Sequence, residues 1–220
     1  MKVLHITASP RGWQSSSIAV AKEFLRAFLQ GNPGAGVEEF DLHSADIPEF
    51  GTPAASAKYA VMAGQTPTDQ DMQTWRKVID VIEEFKSADM LVLSSPMWNF
   101  GIPYRLKQYF DIIVQPGLTF TYDAKEGYKG LVTDRPAVLV LSRGGKYPTG
   151  TQDAFLDMQK PYLELILKFI GFTDISTVVA EPMLAEGEEV AQAAIREAME
   201  VARSLAGEIA FRTTHQRATG

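Results

Sequence analysis

Short runs built for strands alternate with longer helical stretches along the whole chain, and this alternation constrains the fold more than any other feature. DMLVLSS (89–95) and PAVLVLS (136–142) are apolar on both faces. Such strands need cover above and below, which is the signature of a central position in a parallel sheet. KVLHITA (2–8), VEEFDL (37–42) and DISTVVA (174–180) add three more strands rich in apolar and β-branched residues. Between them lie stretches of helical periodicity. In the first, Ile18, Ala21, Phe24, Leu25 and Phe28 share a face; in another, Trp75, Val78, Ile79, Ile82 and Phe85 do so over 69–87. A helix carrying Leu106, Tyr109, Phe110 and Ile113, one around 156–170 and a long Ala-rich one over 187–211 complete the series.

Strands and helices in strict alternation predict one α/β domain over residues 1–220. Five strands favour a flavodoxin-like three-layer sandwich with a five-stranded parallel sheet over a six-stranded dinucleotide-binding sheet. Pro48–Asp69, rich in Pro, Gly, Ala and Thr, reads as a long surface excursion, 115–133 as a second one, and 212–220 as a frayed tail. A chain of 220 residues buries a sufficient core without staples, in keeping with its lack of cysteine. That lack removes disulfides, thiol nucleophiles and Cys-metal sites, and it is compatible with the cytoplasmic location we expect. A formal charge of −6 without a Lys/Arg run argues against nucleic acid as a partner. No apolar stretch is long enough for a membrane span, and MKVLHITASPRG has no secretory h-region.

In folds of this class ligands bind outside the carboxyl ends of the strands, at the switch point of the sheet. Three of the five predicted strand exits carry unusual loops: SPRGWQSSS (9–17), PMWNFGIP (96–103) and RGGKYPTG (143–150). The first puts Ser15, Ser16 and Ser17 at a helix start, where N–H groups and the helix dipole favour an anion and Arg11 adds charge. The same serines are also good helix caps. In the second loop, Met97, Trp98 and Phe100 offer faces for a flat ring, Asn99 offers edge hydrogen bonds, and Gly101 lets the backbone turn. The aromatics would serve equally as plugs over the end of the sheet. In the third, Gly144 and Gly145 allow N–H groups to face ring oxygens, with Arg143 or Lys146 offsetting charge; a glycine-rich connecting turn looks the same. Phosphate, tether and planar ring together describe a mononucleotide, for which FMN is the natural candidate in this fold. GNPGAG (31–36) lies after a helix and before a strand, the wrong order for a dinucleotide fingerprint, and no P-loop is present. His5 reads as a satisfied core residue, and no metal-ligand motif, GxSxG or obligatory acid–base residue stands out.

The sequence resembles the FMN-dependent NADH-azoreductases, also called FMN-dependent NADH:quinone oxidoreductases. The resemblance rests on Ser9 with Ser15, Ser16 and Ser17, on PMWNF with Ile102, Pro103, Leu106, Lys107, Phe110 and Asp111 behind it, and on Ser142, Arg143, Gly144 and Gly145. GLTFTY (117–122), EGYKGLV (126–132), PYL (161–163) and FIGFTDI (169–175) extend it along the chain. It implies that Ser9 and Ser15–Ser17 bind the FMN phosphate region, and that Met97–Phe100 and Ser142–Gly145 meet the ring and ribityl groups. It further implies a homodimer with two active sites at the interface, with Tyr122 and Phe169 helping to form the slot above the ring. The implied activity is ping-pong transfer of two electrons from NADH or NADPH, through FMN, to quinones and azo compounds. Trp98 stands where the family commonly has tyrosine, which alters the pocket volume. A flavodoxin-type electron carrier and a flavin-free interaction module are the alternative readings.

Overall fold

The computed structural model describes residues 1–218, with side chains through Thr213. The elements run β1 (Lys2–Thr7), α1 (Ser16–Gly31), β2 (Gly36–Asp41), α2 (Thr52–Met62), α3 (Asp69–Lys86), β3 (Met90–Pro96) and α4 (Tyr104–Ile113). They continue with β4 (Phe120–Asp123), β5 (Gly127–Gly130), β6 (Pro136–Ser142), α5 (Lys160–Ile170), β7 (Asp174–Ala180) and α6 (Glu188–Ala218). Five strands form one parallel sheet in the order β2-β1-β3-β6-β7. The expected flavodoxin-like α/β sheet is therefore present, and its strand order reverses between β1 and β3.

Strand alternation sends residues of each central strand to two separate cores. Leu4, Leu93 and Leu139 join the α3, α4 and α5 side, where Tyr109, Ile112 and Leu163 are fully buried. Val3, Val92 and Val138 face α1 and α6, with Phe24 and Phe28 stacked at 6.1 Å. Burying each such phenylalanine contributes about 2–3 kcal/mol. On α6 the packed stripe is Ala198, Ala202, Ala206 and Ala210, whose small side chains let a long helix lie close to α1.

Three boundaries differ from the sequence reading. The excursion at 48–69 contains α2: Pro53 lies in its first turn and Ala54 and Ala57 are buried. Proline suits a helix start and alanine is the best helix former, so the composition that resembled a loop is compatible with a helix. The excursion at 115–133 contains the β4–β5 hairpin, turned through Gly127 (φ 79°) and capped where Asp123 Oδ1 accepts from Lys125 and Glu126 N–H. Gly130 rests so closely on the backbone of Gly171 that no Cβ fits between them. The predicted tail continues α6 to Ala218; residues 219–220 lie outside the described residues. Among the described residues no helix is long and apolar enough to cross a membrane.

Candidate functional site

The three unusual loops leave adjacent strands at one end of the sheet. Thr7 of β1 pairs with Ser94 of β3, and Pro96 of β3 pairs with Ser142 of β6. Ladder-like bonds continue past the strand ends, from Ala8 N to Ser94 O (2.9 Å) and from Met97 N to Ser142 O (2.8 Å). One cavity of about 530 Å³ opens there. Its walls bring together Ser9, Ser15 and Ser16, Met97 and Trp98, and Ser142, Arg143 and Gly144.

Ser15 is the N-cap of α1, with extended backbone (φ −83°, ψ 124°), yet its side chain makes no capping hydrogen bond. Its hydroxyl is instead 3.1 Å from that of Ser17, and Ser9 Oγ accepts from Arg11 N–H at 3.4 Å. Ser9, Ser15 and Ser17 are all buried. Ser17 does not line the cavity but backs Ser15. A cap would direct the hydroxyl at the N–H groups of the first turn. Here the helix start is left without a side-chain cap where Ser15 and Ser16 line the cavity, an arrangement that suits an anion. Beneath the cradle, His5 Nε2 is 3.0 Å from Ser94 Oγ, joining β1 to β3. The expectation of a satisfied histidine holds for one nitrogen: Nδ1 has no hydrogen-bond partner and only Glu39 Oε2, at 3.7 Å, nearby. Burial first, and Lys22 second, lower its pKa to about 4; the half-exposed Glu39 carboxylate does not offset them.

The second loop is a tight reversal in which Trp98 N–H bonds Gly101 O (3.0 Å) and Gly101 N–H bonds Trp98 O (2.9 Å). Its central residues, Asn99 (φ 47°) and Phe100 (φ 68°), both adopt the left-handed conformation. The sequence reading assigned the turn to Gly101; the structure moves that burden one and two residues earlier. A bulky residue there costs roughly 1–2 kcal/mol, and such costs concentrate at binding sites. Phe100 meets Tyr147 edge-on at 6.3 Å, and its carbonyl accepts from Met158 N–H at 3.0 Å. Trp98, 37% exposed, lies 6.5 Å from the rings of both His43 and Tyr104. Asn99 and Phe100 form the tip of the loop and are not part of the cavity wall.

In the third loop the two glycines leave space. A Cβ on Gly144 would touch Leu184 at 3.4 Å, and one on Gly145 would crowd the Tyr147 hydroxyl at 3.1 Å. Both cations that the sequence offered to a ligand have carboxylate partners within the chain. The Arg143 side chain is buried between Asp157 (2.9 Å) and Glu181 (3.3 Å), and Lys146 pairs with Glu186 at 3.1 Å. Sequence reasoning missed a fourth wall, made by Met183, Leu184 and Gln192 after β7, and the outward Trp13, 85% exposed. The signal for the wall was a further strand exit, EPMLAEGE, in register with the others. Tyr122 and Phe169 are not in the cavity. α5 leads back to the start of β7, and Val132 N–H bonds Ile170 O (2.8 Å) just ahead of β6, so both residues sit at the opposite end of the sheet. There Phe120 packs on Phe169 (4.7 Å) and Tyr122 on Tyr128 (4.9 Å).

Comparison with known proteins agrees with this geometry. The Flavodoxin-like fold family matches residues 1–205. An FMN-dependent NADH:quinone oxidoreductase of Nitratidesulfovibrio vulgaris (strain DP4) is 52% identical over 204 residues, covering 93% of this chain and 97% of its own. The chain belongs to the FMN-dependent NADH:quinone oxidoreductase family. A member from Desulfotalea psychrophila is 42% identical over 207 residues, with the same coverage of 93% and 97%. Among solved structures, an FMN-dependent NADH-azoreductase from Bacillus anthracis in complex with FMN superimposes with a TM-score of 0.81 at 30% identity, covering 93% of this chain and 99% of that one. The cavity of this family member has buried serines at one end and the part-exposed Trp98 at the other.

Proposed function

We propose that this chain is an FMN-dependent oxidoreductase that passes electrons from NADH or NADPH to quinones and azo compounds, and that it works as a cytoplasmic homodimer. The observation that carries the reading is the single cavity shared by three adjacent strand exits, with an uncapped helix start at one end and an aromatic loop at the other. The residues suit FMN. Ser9, Ser15 and Ser16 with the first N–H groups of α1 would hold the phosphate, Ser17 holding Ser15 in place. Met97 and Trp98 would flank the ring, and the Ser142–Gly145 backbone, kept free of side chains at Gly144 and Gly145, would meet its polar edge. Asn99 and Phe100, at the loop tip, complete the contact on the solvent side.

Held by Ser9, Ser15 and Ser16 at one end and flanked by Met97 and Trp98 at the other, FMN would supply hydride-accepting and two-electron-donating chemistry, which suits a ping-pong order of donor and acceptor. The chain's own task is placement: flat substrates stack beside Trp98 within about 3–3.5 Å of the reacting atoms. Loop N–H groups would balance negative charge developing on the ring. Protons for the acceptor would come from solvent. Tyr122 and Phe169 lie far from the chain's own cavity, so their role in the slot requires a second copy that brings its hairpin end to this one.

The test is anaerobic addition of NADH to FMN-loaded protein. Rapid bleaching of the flavin, followed by recovery on adding a quinone and parallel double-reciprocal plots, is expected. A flavin that stays oxidised with both NADH and NADPH would leave an electron carrier, and failure to take up FMN would leave an interaction module.

A further inference from the structure

Arg143 stands in the motif that resembles the family's ring-binding loop, and its guanidinium is held at the cavity wall by a largely buried network. Its Nη2 donates to Asp157 Oδ2 (2.9 Å), Nη1 to Glu181 Oε2 (3.3 Å) and Nε to Gln159 Oε1 (3.2 Å). Gln159 in turn donates from Nε2 to the carbonyl of Ser95 (3.3 Å), at the end of β3. Asp157 uses its second oxygen to cap α5, accepting from Gln159 N–H (3.1 Å) and Lys160 N–H (3.0 Å). The Arg143 backbone completes the knot, donating to Ala180 O (3.1 Å) and accepting from Met183 N–H (2.8 Å). One buried cation thereby ties four segments: the exit of β3, the third loop, the start of α5 and the exit of β7. Met158, inside this knot, holds the carbonyl of Phe100 at 3.0 Å. Both loops proposed to flank the flavin ring are therefore anchored to the same side chain.

We propose that Arg143 is a positioning residue that fixes the spacing of the two ring-binding loops, and that its cluster sets the charge felt by the bound cofactor. The proposal rests on the FMN reading above. Counting formal charges, one arginine against two carboxylates leaves the cluster at −1, directly behind the Ser142–Gly144 wall. Reduction adds negative charge to the ring, so the cluster's net charge moves the midpoint potential in a predictable direction. Removing the arginine leaves two part-buried carboxylates without their cation. A buried pair that loses one partner is strongly destabilised and seeks water or a new arrangement, which frees both loops.

The experiment compares Arg143→Gln, Arg143→Lys and Asp157→Asn, measuring FMN binding to the apoprotein by flavin fluorescence and the midpoint potential of the reloaded protein. Wild type must first bind FMN; if it does not, the FMN reading fails and not the clamp. Arg143→Gln is expected to weaken FMN binding at least tenfold and to lower the potential. Asp157→Asn, which brings the cluster to neutrality, is expected to raise the potential above wild type, and Arg143→Lys to restore most of the affinity. A merely structural role would weaken binding in all three without opposite shifts of potential. Shifts of the same sign in Arg143→Gln and Asp157→Asn, or unchanged affinity in Arg143→Gln, would overturn the proposal. Should Arg143→Gln not fold by circular dichroism, Arg143→Lys and Asp157→Asn decide it: most of the wild-type affinity in the first must accompany a raised potential in the second.

Discussion

The loops after β1 and β3 leave neighbouring parallel strands, yet they are built on opposite plans. The first hides its working groups: Ser9, Ser15 and Ser17 are buried, its hydroxyls bond to one another or to the loop, and a 16-residue helix stands behind it. The second displays its groups: Trp98 and Phe100 are 37% and 45% exposed, on a turn whose two central residues hold a left-handed backbone. A small anion is recognised by charge and direction, and a rigid, water-poor pocket strengthens both. A flat ring and a succession of flat substrates are recognised by area, and area must stay open to be used. On the FMN reading proposed above, the contrast would assign affinity for the cofactor mainly to the first loop and exchange of substrates to the second.

The largest effect expected from breaking this division is at Ser15. If the serine were merely a cap, Ser15→Asp would be harmless, since aspartate caps helices as well and favours the dipole. As part of an anion cradle, the same change places a carboxylate within about 4 Å of a phosphate. Two charges at that spacing repel by about 4 kcal/mol at an effective dielectric of 20. FMN affinity should fall about a thousandfold by that figure, while the melting temperature holds or rises. Riboflavin, which lacks the phosphate, should bind the variant as it binds wild type. Loss of both ligands together would remove the assignment of the phosphate to this loop.

How much of this was legible in the sequence follows the same division. Five strands and the exits that matter were readable because doubly buried strands announce themselves by composition, as in MLVLSS and PAVLVLS. The serine loop at the start of α1 was readable for a local reason: strand, serines and helix are contiguous. The ion pairs of Arg143 were not readable, because its partners Asp157 and Glu181 are 14 and 38 residues away and only the tertiary fold brings them together. α2 was missed because its alanines and Pro53 carry little hydrophobic periodicity. The turn at Asn99 and Phe100 was missed because glycine is the default for a positive φ, and here the glycine lies just outside it. Tyr122 and Phe169 came only from resemblance, and nothing in one chain places them near the cavity.

A second, smaller effect tests the seam between the two loops. His5 bridges to Ser94, so it links the strands that carry them. Burial lowers its folded pKa from 6.5 to about 4, and so the unfolded chain binds the extra proton first on acidification. The contribution is fully present above pH 6.5 and is lost as pH falls through the window from 6.5 to about 4. At 1.36 kcal/mol per unit it amounts to about 3 kcal/mol. Urea midpoints measured at pH 7.5 and pH 5 should differ more for wild type than for His5→Gln, which has no such proton. Equal differences would show that the histidine is solvated in the folded state and that the seam is not sealed.

The smallest effect probes the exposed loop. Phe100→Gly removes a bulky residue from a left-handed position, a relief of roughly 1 kcal/mol, and forfeits an edge contact with Tyr147 of about the same size. Stability should therefore change by less than about 1 kcal/mol. If the ring of Phe100 helps to cover the flavin, affinity for FMN and for riboflavin should fall by a similar factor of about ten, unlike the phosphate-selective loss at Ser15. Should Phe100→Gly raise the melting temperature and leave both affinities unchanged, the strained backbone at 99–100 would lack a role in holding the cofactor. The open loop would then serve the passing substrates alone, a result read directly as a raised KM for the quinone with unchanged flavin binding.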